Sequence, residues 1–350
     1  MKLRFVGGLA AVVLALGAAP AQAQDQAKSK RAGLAIATLE QRWGTSDGWN
    51  ASEAWQRFPI ADALIDYQRR TGDKRWNAKI AAAVRNRSGL YLNDDDLWAV
   101  IANVHAWQID RDPELLAYAS STYARIVSTY WDTQCGGGIW WDPKRTYKNA
   151  ITNELLIYAS TQLYLATGQD AYRDWALRTW SWFARSGMID ANGLVNDGLD
   201  GACHNNGQPH FTYNQGVLLG GLSDLTTITA DPQYRTAAVR TALAATRGLV
   251  TTDGILREPF DGLGADGPMF KGVFAYHLGH LIEAMPQGPE RTELLGWAQR
   301  NADAVWLLSA QGKQPIDGLW SGGAGKDGYA GQLGAAAQAS GIDMLLAASS

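Results

Sequence analysis

The chain has 350 residues, of which 46% are hydrophobic and 19% charged, and it carries a net charge of −3. That apolar share excludes a disordered chain, and two cysteines exclude a small disulfide scaffold. With 31 basic residues against 34 acidic ones, no positive excess remains to follow a phosphate backbone, which argues against a nucleic-acid partner. Fifteen tryptophans stand out; such residues pack helices or stack on flat ligands such as sugar rings.

The N-terminus reads as a cleavable leader. Lys2 and Arg4 precede an apolar run from Phe5 to Leu16, and Ala21-Gln22-Ala23 supplies a small-x-small cleavage site. This is the pattern of a secretory signal peptide over residues 1–23, and its apolar run is too short to span a membrane. No later segment reads as a membrane span. The expectation is an exported protein, secreted or periplasmic, with one domain over 24–350. An oxidising destination favours a disulfide between Cys135 and Cys203 over two separate buried thiols.

From there, apolar periodicity predicts twelve helices in chain order, at 29–43, 59–71, 74–88, 96–109, 113–130, 149–167, 170–186, 214–229, 232–248, 268–284, 289–309 and 333–348. Short polar breaks recur near Asp73, Asp112, Gln169, Asp231 and Gly288, each joining two helices into a hairpin. Helices that precede these breaks are small and apolar on most sides. Those that follow carry Lys, Arg and Glu on one face, as an outer layer would. The fold class expected is therefore all-α, an (α/α)6 barrel of six helical hairpins. The outer-to-inner connections are long, at about 44–58, 89–95, 131–148, 187–213, 249–267 and 310–332. All six emerge on one face, where function is expected.

Those loops hold the chemistry-bearing clusters. "YLNDDDLWAV" places Asp94, Asp95 and Asp96 where an inner helix begins. Aspartates cap helices, but a cap uses one of them. Neighbouring carboxylates repel, which raises one pKa and leaves the partner ionised, the division of labour an acid and a nucleophile need. Adjacent residues on a regular helix diverge by about 100°, so the pair is expected in the irregular turn before the helix settles. Its short separation leans towards a retaining glycosidase. "CGGGIWWDPKRTYKNAITNELL" supplies Trp140, Trp141, Tyr147, Asn149 and Asn153, which suit sugar stacking and hydrogen bonding or loop packing equally. The next loop brings Asn196, Asp197, Asn205, Asn206, Tyr213, Asn214 and Gln215, and the one after it Glu258, Asp261, Asp266 and Lys271. His277 and His280 share a helix face, but without cysteine or a nearby carboxylate they make no metal site. No phosphate-binding glycine loop and no G-x-S-x-G motif is present, so no cofactor is expected.

Six ordered motifs, "NDDDLWAV", "CGGGIWWD", "YKNAITNELL", "GLVNDGL", "NNGQPHFTYNQGVLLGGL" and "DGPMFKGVF", resemble glycoside hydrolase family 76, the endo-α-1,6-mannanases. The resemblance covers essentially the whole chain after the leader. It implies an (α/α)6 barrel, retaining chemistry and an α-1,6-mannan substrate. The family pattern is Asp-Asp, two variable residues, then an aromatic, so Trp98 sets the register. Asp94 is then the implied nucleophile, Asp95 the implied general acid/base, and Asp96 a variable position. Candidate substrate-binding residues are Asn93, Trp98, Trp140, Trp141, Asn149, Asn153, Asn196, Asp197, Tyr213, Asn214, Gln215 and Lys271. The expectation is a monomeric hydrolase; the alternatives are a mannan transglycosidase using the same carboxylates and a catalytically silent mannan-binding protein.

Overall fold

The computed structural model describes residues 18–260, 264–321 and 333–350, with side chains from residue 29 onward. Most of the predicted leader, and Asp261 with it, lies outside the described residues. Among the described residues, twelve α-helices follow in chain order: α1 (Ala18–Trp43), α2 (Arg57–Thr71), α3 (Asn77–Arg85), α4 (Asn93–Asp110), α5 (Pro113–Tyr130), α6 (Ala150–Thr167), α7 (Asp170–Phe183), α8 (Thr212–Thr229), α9 (Pro232–Gly248), α10 (Gly267–Ala284), α11 (Pro289–Leu308) and α12 (Ala335–Ala347). Even-numbered helices touch in sequence, and α12 closes against α2. They form the inner ring of an (α/α)6 barrel, and the odd-numbered helices form the outer one.

Burial separates the two rings as the sequence pattern requires. Every residue of α6 from Ala150 to Leu163 is buried, as is every residue of α12. In α5 only Leu115, Ala119, Thr122, Tyr123, Ile126 and Val127 are buried, a stripe at helical spacing on one face. Inner helices approach backbone to backbone: a Cβ on Gly216 would stand 2.5 Å from Phe274 Cα, and one on Gly272 would stand 2.5 Å from Ser340 Cα. Small residues at these positions let α8, α10 and α12 close the ring.

The short turns have a shared local cause. α2, α4, α6 and α8 end on a left-handed residue, respectively Gly72, Arg111, Gly168 and Ala230. After two of these, Asp112 and Asp231 accept the backbone N–H groups of Glu114 and Gln233, with proline at the first helical position. These turns share one end of the barrel, so the long connections share the other. Isolated antiparallel bridges pin them there, among them Trp131 with Ile139, Asn149 with Gly198, and Leu199 with Asn205. Cys135 and Cys203 form a disulfide, with Cα atoms 5.1 Å apart, that joins the 131–148 and 187–211 connections.

Several boundaries differ from the sequence reading, among them the end of α7, which lies at Phe183 and not at 186. α1 begins at Ala18 rather than 29, and α3 is shorter at both ends than 74–88. α4 begins at Asn93 rather than 96, so the aspartate run lies inside its first turn and not ahead of it. The carboxylate of Asp95 turns back towards the N–H groups of Tyr91 (3.3 Å) and Leu92 (3.4 Å), which lets the helix start early.

Candidate active site

A cleft of 370 Å³ opens at the loop end of the barrel. Asp94 and Asp95 lie in it, while Asp96 points away to an ion pair with Arg125 on α5. The helix itself makes this choice: three consecutive side chains fan around its axis, and only two reach the cleft. Asp94 Oδ2 accepts the indole N–H of Trp141 (3.0 Å), and its Oδ1 accepts the N–H of Asp95 (3.1 Å). Trp141 is held in turn. Its N–H donates to the Tyr147 carbonyl (2.8 Å), and its carbonyl accepts the N–H of Asn93 (2.9 Å). The loop that carries the indole is thus fastened to the first turn of the helix that carries the carboxylates.

Aromatic pairs wall the cleft. Trp55 stacks on Trp98 with centroids 5.6 Å apart and donates its indole N–H to Asp266 Oδ1 (2.7 Å). Tyr213 stacks on Phe270 with centroids 4.0 Å apart. Tyr91 stands at the rim with 69% of its surface exposed. Across the floor, Tyr147 donates its hydroxyl to Asp197 Oδ2 (2.6 Å) and accepts from Asn206 Nδ2 (2.6 Å). Asn149 lines the cleft and caps α6 through Thr152 N–H (3.3 Å).

Burial and mutual repulsion set the electrostatics. Burial first, then the charge of Asp95, raises the Asp94 carboxyl to about 8; the Trp141 bond opposes this. Burial raises Asp95 to about 6 against the opposing backbone N–H groups of Tyr91 and Leu92. Near neutrality the pair therefore holds one proton, shared by two coupled groups. Tyr147 is pushed far up by burial and by its bond to Asp197, and Tyr213 is raised by burial and the nearby Asp197, Asp94 and Glu154. Both phenols therefore stay neutral.

Of the candidate substrate-binding residues, Trp98, Trp141, Asn149, Asp197 and Tyr213 line the cleft. The other seven do not. Trp140 is buried behind it, its indole donating to Asp132 Oδ2 (2.7 Å) and its ring lying 4.8 Å from the Lys148 ammonium. Asn93 binds the Trp140 carbonyl (2.6 Å). Asn153 exchanges bonds with the backbone of Ile139, Gln215 with that of Val195, and Asn196 binds Gly198 and Asn206. Asn214 reaches up to Asp197 (3.4 Å). Lys271 is buried beside Trp320, where its charge offsets part of the burial effect on Glu258. These amides brace loops against the barrel because buried backbone polar groups need partners. Sequence reasoning missed Trp55, Tyr91 and Phe270 as cleft residues. Their one available signal was an aromatic in a long connection or at an inner-helix mouth.

A model of glycosyl hydrolase family 76 matches residues 36–350. The chain belongs to this family. It is 27% identical over 290 residues to the mannan endo-1,6-alpha-mannosidase DCW1 of Saccharomyces cerevisiae, covering 73% of this chain and 62% of that one. It is also 28% identical over 260 residues to a putative mannan endo-1,6-alpha-mannosidase of Schizosaccharomyces pombe, covering 68% and 58%. The chain thus spans under two thirds of these relatives' length. Among solved structures, the fold matches an inactive variant of the α-1,6-mannanase GH76A of Salegentibacter sp. HEL1_6, carrying two consecutive aspartate-to-alanine replacements and bound to α-1,6-mannotetrose. The TM-score is 0.80 at 23% identity, with coverage of 92% of this chain and 98% of that one. Dfg5 from Chaetomium thermophilum, in complex with glucosamine, matches with a TM-score of 0.78 at 20% identity, covering 93% and 90%.

Among the described residues, no helix is long and apolar enough to cross a membrane.

Proposed function

We propose that this protein is an exported glycosidase that cleaves α-1,6-mannosidic bonds in mannan backbones with retention of configuration. The observation that carries the reading is the adjacent Asp94–Asp95 pair in an aromatic-walled cleft, Asp94 half-buried against Trp141 and Asp95 buried, with both carboxyls raised above the ordinary range. The names of the relatives support the substrate, and the inactive Salegentibacter mannanase, in which two consecutive aspartates are replaced, supports a role for an adjacent aspartate pair.

In this reading Asp94 attacks the anomeric carbon while Asp95 protonates the departing glycosidic oxygen, leaving a covalent mannosyl–Asp94 ester. Asp95 then takes a proton from water as the water oxygen displaces Asp94, which restores both carboxyls. Both carboxyls are raised, Asp94 to about 8 and Asp95 to about 6, so the coupled pair of the free protein holds one proton near neutrality. Substrate binding has to leave that proton on Asp95, whose partner becomes the glycosidic oxygen. The Trp141 indole N–H and the Asp95 backbone N–H stabilise the Asp94 carboxylate once the proton has left.

The test is product analysis on linear α-1,6-mannooligosaccharides. The wild-type chain should release shorter mannose oligomers, Asp94→Asn should release none, and Asp96→Ala should retain most of the activity. Lengthened oligomers would make the protein a transglycosidase instead. Binding with no turnover by the wild type would refute the catalytic reading.

A further inference from the structure

Beside the catalytic cleft lies a second hollow of 440 Å³, whose lining includes Asp47, Asn50, Ser52, Arg57, Asn86 and Ser88. The two hollows share Glu53, Ala54 and Gly89 as a common wall, so a chain leaving the cleft over that wall enters this groove. We infer that the groove is the leaving-group subsite, receiving the mannosyl units that lie beyond the scissile bond on the departing side. The inference rests on the proposed function and adds a direction to it.

Direction follows from which carboxylate faces which wall. Asp94 is bonded to Trp141, on the side of the cleft built by Tyr147, Asp197 and Tyr213. Asp95 is turned the other way, towards the backbone of Tyr91 and Leu92. That segment leads back through Gly89 and Ser88 into the groove wall. Arg57 connects the two spaces. It donates to the Asn86 carbonyl (2.9 Å), and its guanidinium feels both Asp47 in the groove and Asp95 in the cleft. In a retaining reaction the acid touches the leaving oxygen and the nucleophile touches the opposite face of the sugar. The sugars next to Asp95 are therefore those that depart, and the ones over Trp141 and Asp197 are those that stay to be captured.

The groove's chemistry fits a neutral, hydroxyl-rich chain. Asn50 and Ser52 are exposed, and their side chains make no hydrogen bond among the described residues. Asp47 and Glu53 add acceptors and Arg57 a donor, so the groove's lining carries one unbalanced negative charge. This composition suits sugar hydroxyls and not a phosphate or a polyanion.

The experiment plugs the groove with Ser52→Trp, at an exposed position without hydrogen-bond partners. Wild type and variant are compared on α-1,6-mannohexaose and on an aryl α-1,6-mannobioside, whose small leaving group does not reach past the wall. The plug should lower kcat/KM on the hexaose about tenfold and leave the aryl substrate within about twofold. Asn50→Ala should move the same ratio in the same direction by a smaller factor. An unchanged hexaose rate would overturn the inference. So would a parallel fall on both substrates in a plugged variant that melts like the wild type, because the groove would then serve the sugars that stay. Should the wild type cleave neither substrate, the proposed function fails by itself. Hexaose affinity for the chain with and without Ser52→Trp then decides the groove, an unchanged affinity refuting it.

Discussion

Replacing Asp95 by alanine should remove one limb of the pH–rate profile and leave the other in place. In the wild type the pair loses its first proton near 6 and its second near 8, so kcat/KM should peak between these values. Two carboxylates about 5 Å apart at an effective dielectric constant of about 20 repel by roughly 3 kcal/mol, or about 2 pKa units. Removing Asp95 removes that repulsion, and a lost negative neighbour favours the ionised form, so the Asp94 value falls from about 8 by roughly 2 units. On an activated aryl α-mannoside, which needs no proton donor, Asp95→Ala should show a single rising limb near 6 and no alkaline decline. An alkaline limb that persists near 8 would refute the reasoning, because the proton would belong to some other group. Stability offers a second readout. The folded Asp94 carboxyl sits above its ordinary 3.8, so its contribution to stability is complete below that value and is lost as pH rises through about 8. Asp94→Asn should therefore melt above the wild type at pH values beyond about 8, by the ~0.5–2 kcal/mol typical of relieved active-site strain.

Two other outcomes are expected. Cys135→Ser with Cys203→Ser opens a bond between residues 68 positions apart. This should cost about 4 kcal/mol, or about 6 °C in Tm, in calorimetry; a thiol reductant that leaves Tm unchanged would contradict it. Adjacent tryptophans should behave oppositely. Trp140→Ala should cost stability, ~3–5 kcal/mol by denaturant titration, with oligosaccharide affinity retained. Trp141→Ala should lower kcat/KM about 10–100-fold through the lost bond to Asp94, with a small change in stability.

The barrel was legible because its signals are local. Each hairpin turn is written in a few consecutive residues, such as Arg111-Asp112-Pro113 or Ala230-Asp231-Pro232, where a left-handed residue, a capping aspartate and a proline leave the chain one course. Most helix boundaries therefore fall within a few residues of their expected places. The early start of α4 depends on the reach-back of Asp95 to Tyr91 and Leu92, a three-residue signal that also admits capping by Asp96. The extra residues of α1 have no such cause in the described side chains.

Around the cleft, the sequence located the loops but not the side of each loop that faces it. Trp140 and Trp141 are neighbours in an extended segment, where successive side chains point to opposite faces; one packs on Lys148 and the other meets Asp94. Asn149 caps α6 at the cleft, whereas Asn153 lies one helical turn further along the same face, where the backbone of Ile139 meets it. Whether an amide at a helix mouth meets sugar or backbone depends on where another loop runs, and that is fixed by residues far away in the chain. Trp55 makes the point most sharply. Its partner Asp266 lies 211 positions on, and nothing in the composition of the 44–58 connection announces the pairing. The proposed catalytic pair escaped this ambiguity for a physical reason. Two adjacent carboxylates are costly to bury unless the site uses their repulsion, so their identity carries information that a lone asparagine or tryptophan does not.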